Sequence, residues 1–562
     1  MKKTTFSLIK SKSYISILFI SALFAYFYGI THSSIDIDDT AIPLYFQGGL
    51  APYVQRWTLF VIFRLFHIAA DYKHTFLIDG ASVLSLCCSV TIWCGLWKWL
   101  FDKIVVLPSF VYGIIASIFI TNPIISEVFI YFLHNGICIS YGLTAIALYL
   151  FLHSTNVKIS RKSIDITLST LLLAAAVGCY ESFMLVFVMG AFLIYILVRG
   201  IVNSEDKNDN LPSTHILPWI INGSIIIFGT LLIRTAMYHV CRLMYDSSAF
   251  SEYDVTYRHY FGDNLTAISE LGITLKRYIS LYHINAMMYL PISVLAFARI
   301  VICLSGLILF IKKKDITIFL ATLIIVLLPP FMAVFEGNVT KYRSAQYIPM
   351  LSAFAILLFT SFIVKAKPKK SSHRMTVFIA ILCVLIVFQC IDINKWFYVN
   401  HQKSEYVSET ITKIAEDLQN GNYDLTKPIA FVGACQMPRE ITSYGSIPFT
   451  SRRFRTICML TDPIDPHWKE KFYSSIPGLG YIYNATPQES ILQWGTDAFN
   501  HTDEQMIRLM EMNGYTEFVP ADKNTMIKAI SLQEETYIPS INSGECYILE
   551  TSDFILVNID AN

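Results

Sequence analysis

Apolar residues run along this chain in long unbroken stretches, not in the short alternating patterns of soluble helices and strands. About 20 apolar residues carry a helix across a bilayer core. Eleven stretches approach that length: 14–30, 75–97, 104–121, 136–153, 165–178, 182–199, 216–240, 286–311, 316–335, 345–364 and 375–393. The pattern predicts a mainly α, polytopic membrane protein with about 11 transmembrane helices. The first stretch reads as a retained helix, because Tyr26, Phe27 and Tyr28 stand where a cleaved signal would carry small residues. Between the fifth and sixth stretches, Gly178-Cys179-Tyr180-Glu181 reads as a tight outer turn, since bare charge inside lipid is costly.

From about Phe397 the pattern changes. Val407, Ile411, Ile414, Ala415 and Leu418 recur at helical spacing, and Ile429–Gly433 reads as a buried strand and turn. Gln488–Phe499 and Asp503–Asn513 look helical, while Tyr547–Leu549 and Phe554–Ile559 look like a closing pair of strands. The chain thus divides into a membrane domain, 1–396, and a C-terminal extracytoplasmic α/β domain, 397–562.

Composition sharpens this picture in two ways. The chain is 54% hydrophobic and only 15% charged, against about 25% charged in soluble domains. A net charge of +1 argues against nucleic acid as a partner.

Lysine and arginine then orient the spans. Every second connection is enriched: Lys2 and Lys3 at the start, then Lys98 with Lys103, Arg161 with Lys162, Arg199 with Lys207, Lys312 to Lys314, and Lys365 to Arg374. These mark the cytoplasmic side of the membrane, with the N-terminus inside and the C-terminal domain outside. Of the 12 cysteines, Cys435, Cys458 and Cys546 fall in that outer domain, where two of them could pair.

The outer connections hold the candidate chemistry. The first carries Asp36, Asp38 and Asp39, and then an amphipathic stretch from Val54 to Ala70 that suits the interface plane. A carboxylate there could serve as a general base; the same run also suits a solvated loop with helix-capping aspartates. Paired carboxylates could hold a divalent ion, but three closely spaced aspartates do not favour one, and no cofactor is expected. Arg56, Arg258, Arg277, Lys341 and Arg343 are cations that could grip a phosphate, or snorkel to the interface. Arg56-Trp57 also suits an interfacial anchor. Tyr180 and Glu181, beside a membrane-buried turn, could contact a sugar or pair with an outer arginine. Glu127, His134 and Asn135 sit in the second outer loop, and Arg234 and Arg299 fall inside apolar spans. A base, phosphate-binding cations and a lipid-facing groove at one face are the parts needed to move a sugar from a lipid phosphate to a hydroxyl.

The first span, the outer loop with Asp38-Asp39, and Gln55-Arg56-Trp57 closing it resemble the bacterial glucosyltransferase family II. These are the multi-spanning O-antigen glucosyltransferases of serotype-converting operons. The turn Gly178–Phe183 and the loop around Arg343 are similar too, and the resemblance covers residues 1–395. Family members more often carry glycine where Gln55 stands. The resemblance implies a GT-C fold and an inverting enzyme. It implies undecaprenyl-phosphate glucose as donor, supplied by a donor synthase and a flippase, and a lipid-linked O-antigen sugar as acceptor. It makes Asp38 or Asp39 the base and gives Arg343 and Arg56 the leaving phosphate. Two other readings compete. A lipid-linked saccharide transporter or flippase would use Arg299, but the chain shows no matching halves. An O-antigen polymerase or ligase would centre on the arginines of 241–285 and leaves the acidic first loop unexplained.

Overall fold

A computed structural model describes residues 1–32, 34, 55–65, 75–129, 134–156, 162–201, 212–213, 215–244, 290–335, 345–366, 371–433, 504–541, 543 and 545–559. Among the described residues the membrane part is helical. In chain order its helices are α1 (Lys2–Ile9), α2 (Lys12–Thr31), α3 (Trp57–Leu65), α4 (Thr75–Phe101), α5 (Ser109–Ile120), α6 (Pro123–Val128), α7 (His134–Ser154), α8 (Lys162–Val177), α9 (Phe183–Ile201), α10 (Ile216–Met244), α11 (Leu290–Lys313), α12 (Ile316–Phe335), α13 (Tyr347–Ala366) and α14 (Ser371–Asn420). Each of the eleven expected spans falls on one of these helices. Among the described residues, seven helices are long and apolar enough to cross a membrane, and Ser109–Ile120 and Ile316–Pro329 are shorter apolar segments. The protein is therefore a mainly α, polytopic membrane protein. The turn expected after Val177 is present and separates α8 from α9.

Helices α5, α7, α9 and α13 lie at the centre, while α2, α10, α11, α12 and α14 keep one face of large exposed apolar side chains such as Phe24, Phe228, Leu307 and Val387. That division suits helices with lipid on one side. Lipid tails are as apolar as leucine, so close packing and buried hydrogen bonds must hold such a bundle together. Tyr26 Oη donates to the Ile120 carbonyl at 2.6 Å, tying α2 to α5. Trp93 Nε1 donates to Tyr141 O at 2.9 Å, tying α4 to α7. Tyr141 Oη in turn reaches Gln346 O and Oε1 at 2.8 and 2.7 Å, just ahead of α13.

At one end of the bundle, helix termini carry ion pairs. Lys98 meets Asp102 at 3.0 Å, His153 meets Asp165 at 2.8 Å, and Arg199 at the end of α9 meets Asp315 ahead of α12. Burial would raise the Asp315 carboxyl, but hydrogen bonds from Thr317 and Arg199 outweigh it and hold it below its ordinary range. All three pairs sit on connections that the lysine and arginine pattern assigns to one side.

The C-terminal part adds β1 (Pro428–Val432), α15 (Glu504–Met512), β2 (Val519–Pro520), α16 (Lys523–Glu535), β3 (Ile548–Glu550) and β4 (Ile555–Asn558). The strands form one sheet in the order β2-β1-β4-β3. β1 pairs in parallel with β2 and β4, and β3 is antiparallel to β4. Both faces of the sheet are covered. Ile429, Phe431, Ile555 and Val557 pack with α15 and the end of α14, and Ala430, Val432 and Leu556 pack with α16. Burial on both faces explains the uninterrupted apolar run of β1. The expected closing strands are β3 and β4, and the expected helix over 503–513 is α15. The expected helix over 488–499 lies outside the described residues, as do Cys435 and Cys458.

The last span and the periodic stretch that follows it lie on one helix: α14 is continuous for 50 residues, about 75 Å. No glycine or proline interrupts 371–420, and Gly421 ends it. Phe397 still belongs to the membrane core, whereas Val407 belongs to the core of the sheet.

Truncating Phe431 to alanine should cost about 3–5 kcal/mol in the C-terminal core. Hydrogen exchange should then rise across β1–β4 with the membrane helices unchanged; equal loosening of both would mean a single cooperative unit. A lowered Asp315 pKa means its pair stabilises fully above the ordinary carboxylate value of about 4 and is lost as pH falls through the lowered one. Asp315→Asn should therefore flatten the acid limb of a Tm-against-pH curve, and an unaltered limb would refute that assignment.

Candidate active site

The Gly178 turn lies at the other end of the bundle. Helix α8 ends there, leaving its last carbonyls without partners inside the helix. Helix α3 begins nearby, with its first amides equally unpartnered. The two ends satisfy each other: Thr58 N and Leu59 N donate to Gly178 O at 3.1 and 3.5 Å. The approach is so close that a Cβ on Gly178 would lie 2.4 Å from Thr58 Oγ1 and 2.6 Å from Trp57 Cε2. Only glycine fits. Leu59 is fully buried, and Cδ1 of its side chain lies against Gly136 in α7.

This seat presents Arg56. Its guanidinium lies 5.4 Å from the centroid of the Tyr180 ring, a cation–π pairing worth about 0.5–2 kcal/mol depending on solvent exposure. Tyr180 is buried and the neighbouring Glu181 is exposed. Trp57 Nε1, Thr58 Oγ1 and Ser182 Oγ are buried at the same corner without hydrogen-bond partners among the described residues. Because Gly178 O occupies two amides of α3, this helix start is an anchor more than an anion site. Arg56 supplies the positive charge.

Gln55 explains a departure noted in the sequence. Its φ is 66°, in the left-handed region that favours glycine. This chain bears the strain of a side chain there, about 1–2 kcal/mol.

Of the expected site residues, Arg56, Tyr180 and Glu181 come together at this corner. Asp36, Asp38, Asp39, Arg258, Arg277, Lys341 and Arg343 lie outside the described residues, as do the side chains of Glu127, His134 and Asn135. Sequence reasoning missed the roles of Gly178 as a contact point and of Thr58 and Ser182 as buried hydroxyls. The one available signal was a glycine two residues after the small-residue run Ala174-Ala175-Ala176. Among the described residues, no group of three or more His, Cys, Asp or Glu is placed to hold a metal ion.

Fold and corner together define a polytopic membrane protein with an arginine–aromatic site at one end of its helical bundle. The family model for glucosyl transferase GtrII matches residues 27–387, and the chain belongs to that family. It is therefore a sugar-transferring enzyme of glycan biosynthesis. The match begins in the last turns of α2 and ends within α14, so the C-terminal sheet lies outside it. No curated protein and no solved structure matches the chain.

Replacing Gly178 with valine should unseat α3, since overpacking of this kind costs about 1–3 kcal/mol. Exchange of the Thr58 and Leu59 amides should rise about tenfold or more, while Gln55→Gly leaves it at the wild-type level. Unchanged protection in Gly178→Val would show that α3 is held elsewhere.

Proposed function

We propose that this enzyme is an inverting glycosyltransferase. It moves glucose from undecaprenyl-phosphate glucose to a sugar of a lipid-linked O-antigen unit at the periplasmic face of the bacterial inner membrane. The observation that carries the reading is the joining, inside the family match, of the Arg56-Trp57 helix start to the Gly178–Tyr180 turn. In this reading eleven spans cross the membrane, the N-terminus is cytoplasmic, residues 1–396 form the transferase and 397–562 a periplasmic domain. A donor synthase and a flippase act upstream.

Asp38 or Asp39 takes the proton of the acceptor hydroxyl as its oxygen attacks C1 of the glucose, and Asp36 supports the acidic loop. The C1–O bond to phosphate breaks, and the phosphate leaves with the bonding electrons. Arg56 and Arg343, with Lys341, Arg258 and Arg277 in the outer loops, stabilise the charge that grows there. The Tyr180 ring steadies Arg56 before the donor arrives, which lowers the ordering cost of binding. Tyr180 and Glu181 also offer hydrogen bonds to sugar hydroxyls. Attack from the face opposite the phosphate converts a β-linked donor into an α-glucosyl branch.

The test expresses the chain in a strain that makes undecaprenyl-phosphate glucose and an unmodified O-antigen. Mass spectrometry of the lipopolysaccharide should show one added hexose per repeat. That addition should vanish in Asp38→Asn or Asp39→Asn with insertion intact. Its persistence in both variants would sink the mechanism.

A further inference from the structure

Arg234 is an intramembrane charge that the corner does not use. It lies in α10, whose apolar segment Ile216–Cys241 is mostly unburied and shows Ile225, Phe228 and Leu232 to the outside. Ionisable groups at such positions are expensive and tend to be functional.

The packing of α10 places this arginine. Asn222 Nδ2 donates to Ser154 O at the end of α7 at 2.9 Å, and Asp165 at the start of α8 pairs with His153 at the same end. Helices α8 and α10 therefore leave one end of the bundle side by side and run parallel. They touch at Thr170: a Cβ on Gly229 would lie 2.8 Å from Thr170 Cγ2, and Thr230 Oγ1 lies 3.5 Å from Thr170 O. Positions four apart share a helix face, so Arg234 follows Thr230 on the side facing α8. One turn beyond Thr170, about 6 Å, that side presents Ala174, within the run Ala174-Ala175-Ala176. Gly178 is one further turn along.

Alanines give a guanidinium nothing to bind. The Nε of Arg234 is buried and has no hydrogen-bond partner among the described residues. A guanidinium in apolar surroundings needs an anion beside it, and the anion of a lipid layer is a phosphate on an acyl or prenyl chain. We infer that Arg234 binds the phosphate of a membrane lipid whose tail lies along α8 and α10, about one turn below the Gly178 corner. Where that lipid is the sugar donor, the inference rests on the function proposed above and makes Arg234 a positioning residue for the donor.

The phosphate has two sources, polyprenyl phosphate and the phospholipid headgroup. The purified full chain would be titrated with undecaprenyl phosphate and, separately, with phosphatidylglycerol, reading the rise in Tm that binding produces. Arg234→Gln and Arg234→Lys would be compared with wild type, each first shown to elute as wild type does. Loss of one charge-assisted contact should weaken undecaprenyl phosphate by about tenfold or more in Arg234→Gln, and less in Arg234→Lys, which keeps a point charge. Weakening confined to phosphatidylglycerol would assign the site to the headgroup of a surrounding phospholipid. If Arg234→Gln does not fold, Arg234→Lys alone decides, because the loss of the planar fork should still weaken binding measurably. Wild-type affinity for both lipids in the folded variants would overturn the inference. Failure of the transferase reading shows separately, as no hexose added by the wild type, and leaves these lipid titrations readable.

Discussion

The candidate site depends on two helix ends satisfying each other. Inside an apolar layer every peptide group must be paired, which restricts irregular backbone to helix termini. Even there, orphan carbonyls and amides need partners. At this corner the carbonyl closing α8 accepts from the amides opening α3. The contact requires a residue without a side chain at Gly178, and it leaves Arg56 over the ring of Tyr180. One backbone contact thus joins two segments more than a hundred residues apart and presents a cation at the end of the bundle.

The two cores are built by different physics. In the membrane part, buried tyrosines and tryptophans hydrogen-bond to carbonyls of neighbouring helices, because lipid gives apolar side chains no reason to prefer each other. In the C-terminal part, both faces of a small sheet bury aliphatic side chains away from water, and the hydrophobic effect supplies the drive. Helix α14 belongs to both, with Phe397 in one core and Val407 in the other. Its lack of glycine or proline over 371–420 makes the join a continuous helix and not a loop.

Much of this could be read from residue order. The helices follow from apolar runs, the turn at Gly178 from an uncompensated glutamate inside one, and β1 from an unbroken run of buried residues. These features are local, and the solvent around the chain decides them. The continuity of α14 was not legible for a related reason. A change from lipid-facing to water-facing periodicity looks like a boundary, although the backbone passes through it unbroken.

The sequence by itself determined the membrane class, the helix positions, the two-part organisation and the residue types available for transfer chemistry. Each follows from composition, period or charge within a window of tens of residues. Only the tertiary structure decided which distant residues meet: Gly178 with Thr58, Tyr180 with Arg56, Tyr141 with Gln346, and Thr170 with Gly229. Such contacts depend on which helices become neighbours and in what register. Close packing sets both through the summed shape of all the helices, a property that no local window of residues contains.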